Sequence, residues 1–313
     1  MSNHHQIAPE PENMVWGYFD PAEKPILTIA SGDSVGLTSW AASTPTTLPA
    51  DRSLVNPLHL KAMETLTQGP SSHFMVGPIE VEGAKKGQVL QIDILETNLA
   101  DDWGYTAVRP LAGTLPYDFE DSYISHTIID REKGIGRLAW GLELELEPFF
   151  GIIAVAPPAN WGRISTMMPR KFGGNMDNKE LKPGTTLYLP ICNDGAMFYA
   201  GDGHAIQGDG EVCVTAIETG MHGSFRLTVR ADLAYDHPFA ENDEYLISIG
   251  LDEDLDEAAR QATRQMIDHV SRRSNLARHQ AYMLCSLVGD LRVTQTVDGV
   301  KGIHMMLAKK HLG

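Results

Sequence analysis

Apolar and polar positions along this chain alternate in short runs for most of its length. Gln88 to Leu95, QVLQIDIL, and Thr186 to Ile191, TLYLPI, repeat with period two, which predicts half-buried strands. Each follows a glycine turn, AKKGQ and LKPGT, hinting at a duplicated turn-plus-strand unit. Gly141 to Phe150, GLELELEPFF, alternates leucine with glutamate, so its glutamates are expected to face water. Ile26 to Ala30 is a short apolar run closed by a Ser-Gly-Asp turn, and residues 1–25 read as a polar, proline-rich arm or edge strand. One short helix is expected within Leu54 to Leu66, and Asp101 to Pro116 reads as a long loop.

The pattern changes near residue 250. Asp252 to Arg272 carries acids in its first turn and bases in its last, as the helix dipole favours. Leu255, Ala258, Ala259, Ala262, Met266 and Val270 recur there at helical spacing. A second helix is expected from Asn275 to Val288, then a hairpin of Leu291 to Thr296 and Gly302 to Leu307 around VDGVKG. The predicted architecture is mainly β: a sandwich or barrel body over residues 1–250, with a small α+β part over 251–313 completing the fold.

Charge narrows the partners. With 25 basic and 41 acidic side chains in 313 residues, the formal net charge is −16, which repels phosphate backbones and anionic membranes. Neither nucleic acid nor a membrane is expected as a partner. Cys192, Cys213 and Cys285 are too few and too widely spaced for a disulfide framework or a thiolate zinc knuckle, and Cys192 reads as a core thiol. The opening MSNHHQIAPEPENM has no basic start leading into an apolar run, so a cytoplasmic, soluble protein is expected.

Candidate chemistry concentrates in Gly201 to Glu211, GDGHAIQGDGE, read as a glycine-rich loop between apolar strands Ala196 to Ala200 and Val212 to Ile217. It carries Asp202, His204, Asp209 and Glu211, a carboxylate and imidazole set suited to zinc or a similar divalent ion. The bland alternative is a hairpin whose Asp and Gly merely satisfy turn geometry. FGGNMD, residues 172–177, is a second tight polar loop. Glu82, beside a glycine turn, is a weaker third candidate, and His73, His126 and His222 are scattered. The chain lacks GxSxG, HExxH, GxGxxG after a strand and a Walker loop, which removes the α/β-hydrolase, dinucleotide and P-loop readings.

The run from Gly173 to Glu218, with GPIEVEGAKKGQVL, PFFGIIAVAPP and DLRVTQTVDGVKGIHMML in the same order, closely resembles the acetamidase/formamidase family. The resemblance implies a mainly β fold, hydrolysis of a short aliphatic amide or a small lactam, a divalent metal at the site and a homo-oligomer. By position, the family's loops fall on Asp202, His204, Gln207, Asp209 and Glu211, and on Asn175 and Asp177. Three stretches depart from the family pattern: SSHFMV before Gly77, the KKGQ turn, and Ser39 to Ser53. Amide chemistry then suggests roles. Asp202, His204 and a further carboxylate, Glu211 or Asp209, are expected to hold zinc; calcium would be an additional structural ion. The remaining acid is the expected general base, and Asn175 and Gln207 are expected to orient the amide. A non-catalytic metal- or sugar-binding β-sandwich is the rival reading, and the imidazole of His204 speaks against an all-oxygen calcium site.

Overall fold

The chain is described here by a computed structural model covering residues 2–313. Its strands gather into two large sheets and one two-stranded ribbon. The nine-stranded sheet is centred on two long antiparallel partners, Val89–Leu99 and Met221–Arg230. Thr186–Pro190 lies on the other side of Val89–Leu99, with Leu187 opposite Ile92, so the two period-two runs of the sequence are direct neighbours. Their alternation suits this position because one face of each strand enters the core and the other is partly wet.

The eleven-stranded sheet carries the site. Its centre is Phe198–His204, a strand buried at every position. Phe149–Val155, Phe74–Val81 and Glu218–Thr219 all pair antiparallel with it. The two sheets face each other across one core: Phe225 of the first packs its ring edge-on against Phe150 of the second, centroids 5.3 Å apart, and is tilted against Phe198 at 5.5 Å.

Helix α1, Pro57–Thr65, starts where expected, with Asn56 accepting from the Leu58 amide and proline in the first turn. It places His59 between Trp40 and Trp103, stacked on both. Helix α2, Leu255–Arg273, is capped by Asp254, which accepts from the amides of Asp256 and Glu257. Its buried stripe of Ala258, Ala262, Met266 and Val270 covers the far strands of the nine-stranded sheet, and α3, Arg278–Val288, follows it. The closing hairpin, Gly289–Gln295 and Lys301–Ala308, extends that sheet as its last two strands. All three cysteines are free, and Cys192 is buried in the core. No helix among the described residues is long and apolar enough to cross a membrane.

Three local expectations fail. The span 101–116 is not one loop, because Trp103–Val108 is a strand whose Trp103, Tyr105 and Ala107 bury a face against α1 and the segment before it. The loop 201–211 begins later than expected: Asp202 and His204 belong to the Phe198–His204 strand. Val212 to Ile217 is not a strand; only Glu218–Thr219 pairs, and Val212 is 62% exposed. Apolar content in Val212 to Ile217, and glycine and proline in 101–116, do not by themselves say whether a backbone finds a ladder partner.

Candidate active site

A cavity of about 720 Å³ opens between the Phe198–His204 strand, the segments 42–47 and 68–73, and the turn at Asp298. Its floor holds Asn175, Asp177, Asp202, His204, Glu211, Glu218 and Asp298, every one of them buried. Five carboxyl groups in one buried place demand compensation, since an unpaired charge removed from water is costly. Here it is missing. Both oxygens of Asp177, Oδ1 of Asp202, Oε2 of Glu218 and Oδ2 of Asp298 have no hydrogen-bond partner.

His204 sits at the centre. Its Nε2 lies 3.4 Å from Asp202 Oδ2, 3.4 Å from Glu218 Oε2 and 3.9 Å from Asp177 Oδ1. The opposite ring nitrogen, Nδ1, is 2.8 Å from Gln207 Oε1, and Gln207 Nε2 donates to the Asp177 carbonyl at 2.8 Å. The amide of Gln207 is thereby fixed with its oxygen towards the ring, so Nδ1 is the donor. In the neutral ring, Nε2 is left as a lone pair aimed at the carboxylates, the arrangement that metal-ligating histidines use.

Two groups of side chains bring ligand atoms within 4.8 Å of one another: Asp202, His204 and Glu218, and Asp177, His204 and Glu211. Ligands about 2.0–2.1 Å from a tetrahedral ion stand about 3.3–3.4 Å apart. The two 3.4 Å separations in the first group match that edge. Gly151 makes the room. A Cβ there would sit 2.6 Å from Asp177 Oδ1, 2.7 Å from Asp202 Oδ2 and 2.8 Å from His204 Cε1. The residues therefore fit a divalent cation, on the orphaned oxygens, on the nitrogen-plus-carboxylate donor set and on the space that only glycine leaves.

Titration follows the crowding. Burial raises Glu211 and Asp298 well above the usual carboxylate range, with the charge of Asp177 adding to both. Burial pushes Asp177 up to about 6 and raises Glu218, against the pull of His204. Burial also acts on Asp202, but His73 and His204 outweigh it and hold this group at about 2. For His204, burial favours the neutral ring, yet Glu218 and Asp202 outweigh it and raise its pKa well above 6.5. Asp177, Asp202 and Glu211 also hold left-handed φ angles of 47°, 61° and 43°, which L-residues adopt only when their surroundings impose them.

The closing hairpin supplies Asp298. Gln295 Oε1 accepts from the amides of Val297 and Asp298 while its Nε2 donates to the Val300 carbonyl, so a buried side chain fixes the turn. Gly210 donates to the Thr294 carbonyl and accepts from the Thr296 amide, which pins the loop bearing Glu211 to the same hairpin.

The residues expected from the sequence divide clearly. Asp202, His204, Glu211, Asn175 and Asp177 converge on the floor. Gln207 is buried behind His204, with one amide end on the imidazole and the other on the Asp177 carbonyl. Asp209 is exposed and pairs with Lys179 at 3.2 Å, apart from the residues that line the cavity. Glu82 is exposed, while His126 bonds the Thr47 carbonyl and His222 bonds Thr38. Sequence reasoning missed Glu218 and Asp298, and set His73, which lines the cavity, aside as scattered. Glu218 ends the very run that carries the resemblance, and Asp298 lies in the VDGVKG turn, so an acid inside each matching segment was the available signal. Two of the departing stretches line the cavity, through Ser71, Ser72 and His73, and through Ala42, Thr44, Thr46 and Thr47.

Comparison with known proteins points the same way. The sequence profile of the Acetamidase/Formamidase family matches residues 65–163 and 159–307. A formamidase of Methylophilus methylotrophus is 28% identical over 45% of this chain and 47% of its own length. An acetamidase of Mycolicibacterium smegmatis is 26% identical over 45% of this chain and 49% of its own. The matched region thus spans about half the length of these relatives. The crystal structure of an acetamidase from Bacillus halodurans is 29% identical, with a TM-score of 0.84 and 98% of each chain covered.

Proposed function

The chain belongs to the acetamidase/formamidase family, and from that we propose that it is a metal-dependent amidase, converting a carboxamide and water to a carboxylate and ammonia. The observation that carries this reading is the set of buried, unpartnered carboxylate oxygens gathered around the free nitrogen of His204. Asp202, His204 and Glu218 would hold a divalent ion, zinc by the chemistry of the donor set. When bound, the ion supplies Lewis acidity to an amide carbonyl and to water.

The chain's own residues do the rest. Glu211, outside that trio but lining the same floor, takes the proton from the attacking water and returns it to the departing nitrogen as the C–N bond breaks. A nearby divalent charge opposes the upward shift that burial imposes on this carboxyl. Asn175 donates through Nδ2 to the Met167 carbonyl at 3.3 Å, which leaves its Oδ1, without a partner, to accept from the substrate amide N–H. Gln207 keeps His204 in the required tautomer.

Ammonia release from formamide, acetamide, propionamide and a small lactam, before and after chelation and zinc add-back, tests the reading. Release that vanishes with chelator and returns with zinc is the expected result. Unchanged release after complete metal removal would sink the metal-dependent mechanism, and no release from the metal-loaded protein would sink the amidase.

A further inference from the structure

Formamide occupies about the volume of two waters, about 60 Å³. The cavity, at about 720 Å³, is an order of magnitude larger and falls in the range that accepts multi-group ligands. Its walls also differ from its floor. Above the acids they present hydroxyls, among them Thr46, Thr47 and Ser122, and a single side chain of permanent positive charge, Arg109.

Among the described residues Arg52, Arg109, Arg170 and Arg272 are the arginines in no ion pair, and of these only Arg109 lines the cavity. Arg131, Arg137, Arg163 and Arg292 each hold a carboxylate at 3.0 Å or less. Among the described residues Arg109 has no such partner, although it is only half-exposed. Its position relative to the acids follows from the sheet. Tyr105 stands opposite Glu218, and Val108, the last residue of that strand, stands opposite Tyr123. Side chains at 105, 107 and 109 fall on one face of an extended chain, and four residues advance about 13 Å along it. The Arg109 backbone is therefore about 13 Å along the strand from the level of the acid cluster, beyond direct pairing with it but facing the same cavity.

We propose that the cavity takes an amide whose other end is a carboxylate, with the carboxamide at the His204 floor and the carboxylate on Arg109. This rests on the amidase reading above and names its substrate class. The orientation follows from charge. A carboxylate placed among Asp177, Asp202, Glu211, Glu218 and Asp298 would be repelled, whereas the guanidinium offers a fork that matches it. The spacing calls for several bonds between the two ends, as in the half-amides of five- and six-carbon dicarboxylic acids.

The test compares glutaramate and adipamate with neutral valeramide on the zinc-loaded wild type, R109A and R109K, reading the ratio of kcat/KM values. The wild-type ratio is expected to favour a half-amide by about tenfold or more, with R109A cutting it by about ten- to a hundredfold and R109K by less, since lysine keeps the charge and loses the fork. Circular dichroism checks that each variant is folded. If valeramide is hydrolysed and no half-amide is preferred, or the preference survives R109A, the Arg109 assignment falls and the amidase stands. If the loaded wild type hydrolyses no amide at all, the amidase falls, and calorimetry with glutarate decides the site. Binding lost in R109A upholds an anion site, and no binding to wild type overturns it.

Discussion

Gly151→Ala isolates the geometry of the floor from its chemistry, because it removes no ligand and no charge. Gly151 is not among the glycines with left-handed φ, so alanine is compatible with its backbone. Only space is at stake. The added Cβ would lie 2.6, 2.7 and 2.8 Å from Asp177 Oδ1, Asp202 Oδ2 and His204 Cε1. Ordinary contacts begin near about 3.4–3.5 Å, so these atoms must withdraw by about 0.6–0.9 Å. Metal sites tolerate about 0.2 Å of ligand displacement, several times less. The overpacking itself costs about 1–3 kcal/mol, within what a protein of ordinary stability survives. The expected protein is folded, with its melting temperature lowered by a few degrees, a zinc affinity reduced at least about a hundredfold and kcat/KM for valeramide reduced in parallel. Elemental analysis after dialysis, a thermal melt and the ammonia assay read these three quantities. Full zinc content with kcat/KM within about threefold of wild type would refute the claim that an ion sits against this glycine.

Two further predictions probe the supports of the site. Gln207→Ala frees Nδ1 of His204 and releases the Asp177 carbonyl without touching a carboxylate, so zinc affinity should fall by about ten- to a hundredfold while excess zinc restores turnover. A turnover loss that zinc does not rescue would mean Gln207 acts on the substrate after all. Far from the site, burial raises Glu241, but hydrogen bonds from Arg273 and Lys309 outweigh it and hold it at about 2, below its ordinary 4.5. A depressed carboxyl contributes stability that is complete above about 4.5 and lost as pH falls through about 2. Glu241→Gln should therefore cost about 2–3 kcal/mol at pH 7 and roughly half of that at pH 3. Urea melts at both values measure it, and a pH-independent cost would show that the ion pairs are not the source.

How much of this was legible in the sequence depended on the physical signal each feature leaves. The paired strands Val89–Leu99 and Thr186–Pro190, helix α2 and the closing hairpin were legible because each bears its own periodicity, its own cap or its own turn. The strand Trp103–Val108 was not, since its glycine and the proline that follows resemble loop composition, and burial against α1 overrides that preference. Within the site, Asp202 and His204 stood out as polar residues in a dense glycine motif. Asp209 stood out equally but lies apart from that floor: it is two residues from Glu211, yet it pairs with Lys179 while Glu211 is buried at a left-handed φ of 43°. Spacing along a chain cannot announce a local reversal of that kind. Asp298 is 96 residues beyond Asp202 by sequence numbering, and only the return of the hairpin past Gly210 brings them to one floor.

The departures from local preference at this floor share one cause. Among the described residues, Asp177, Asp202 and Glu211 are three of the seven non-glycine residues with left-handed φ, and strain of that kind costs about 1–3 kcal/mol per residue. The same three are buried acids with raised or strongly opposed titration. A fold selected for stability alone would replace them with apolar residues in relaxed backbone, which often stabilises a protein. Their coexistence with Gly151, whose hydrogen keeps the centre open, makes sense when a cation supplies the missing compensation. Binding energy for such a cation would offset both the strain and the desolvation, so on the proposed reading the site and the stability of the surrounding sheet would rise and fall together.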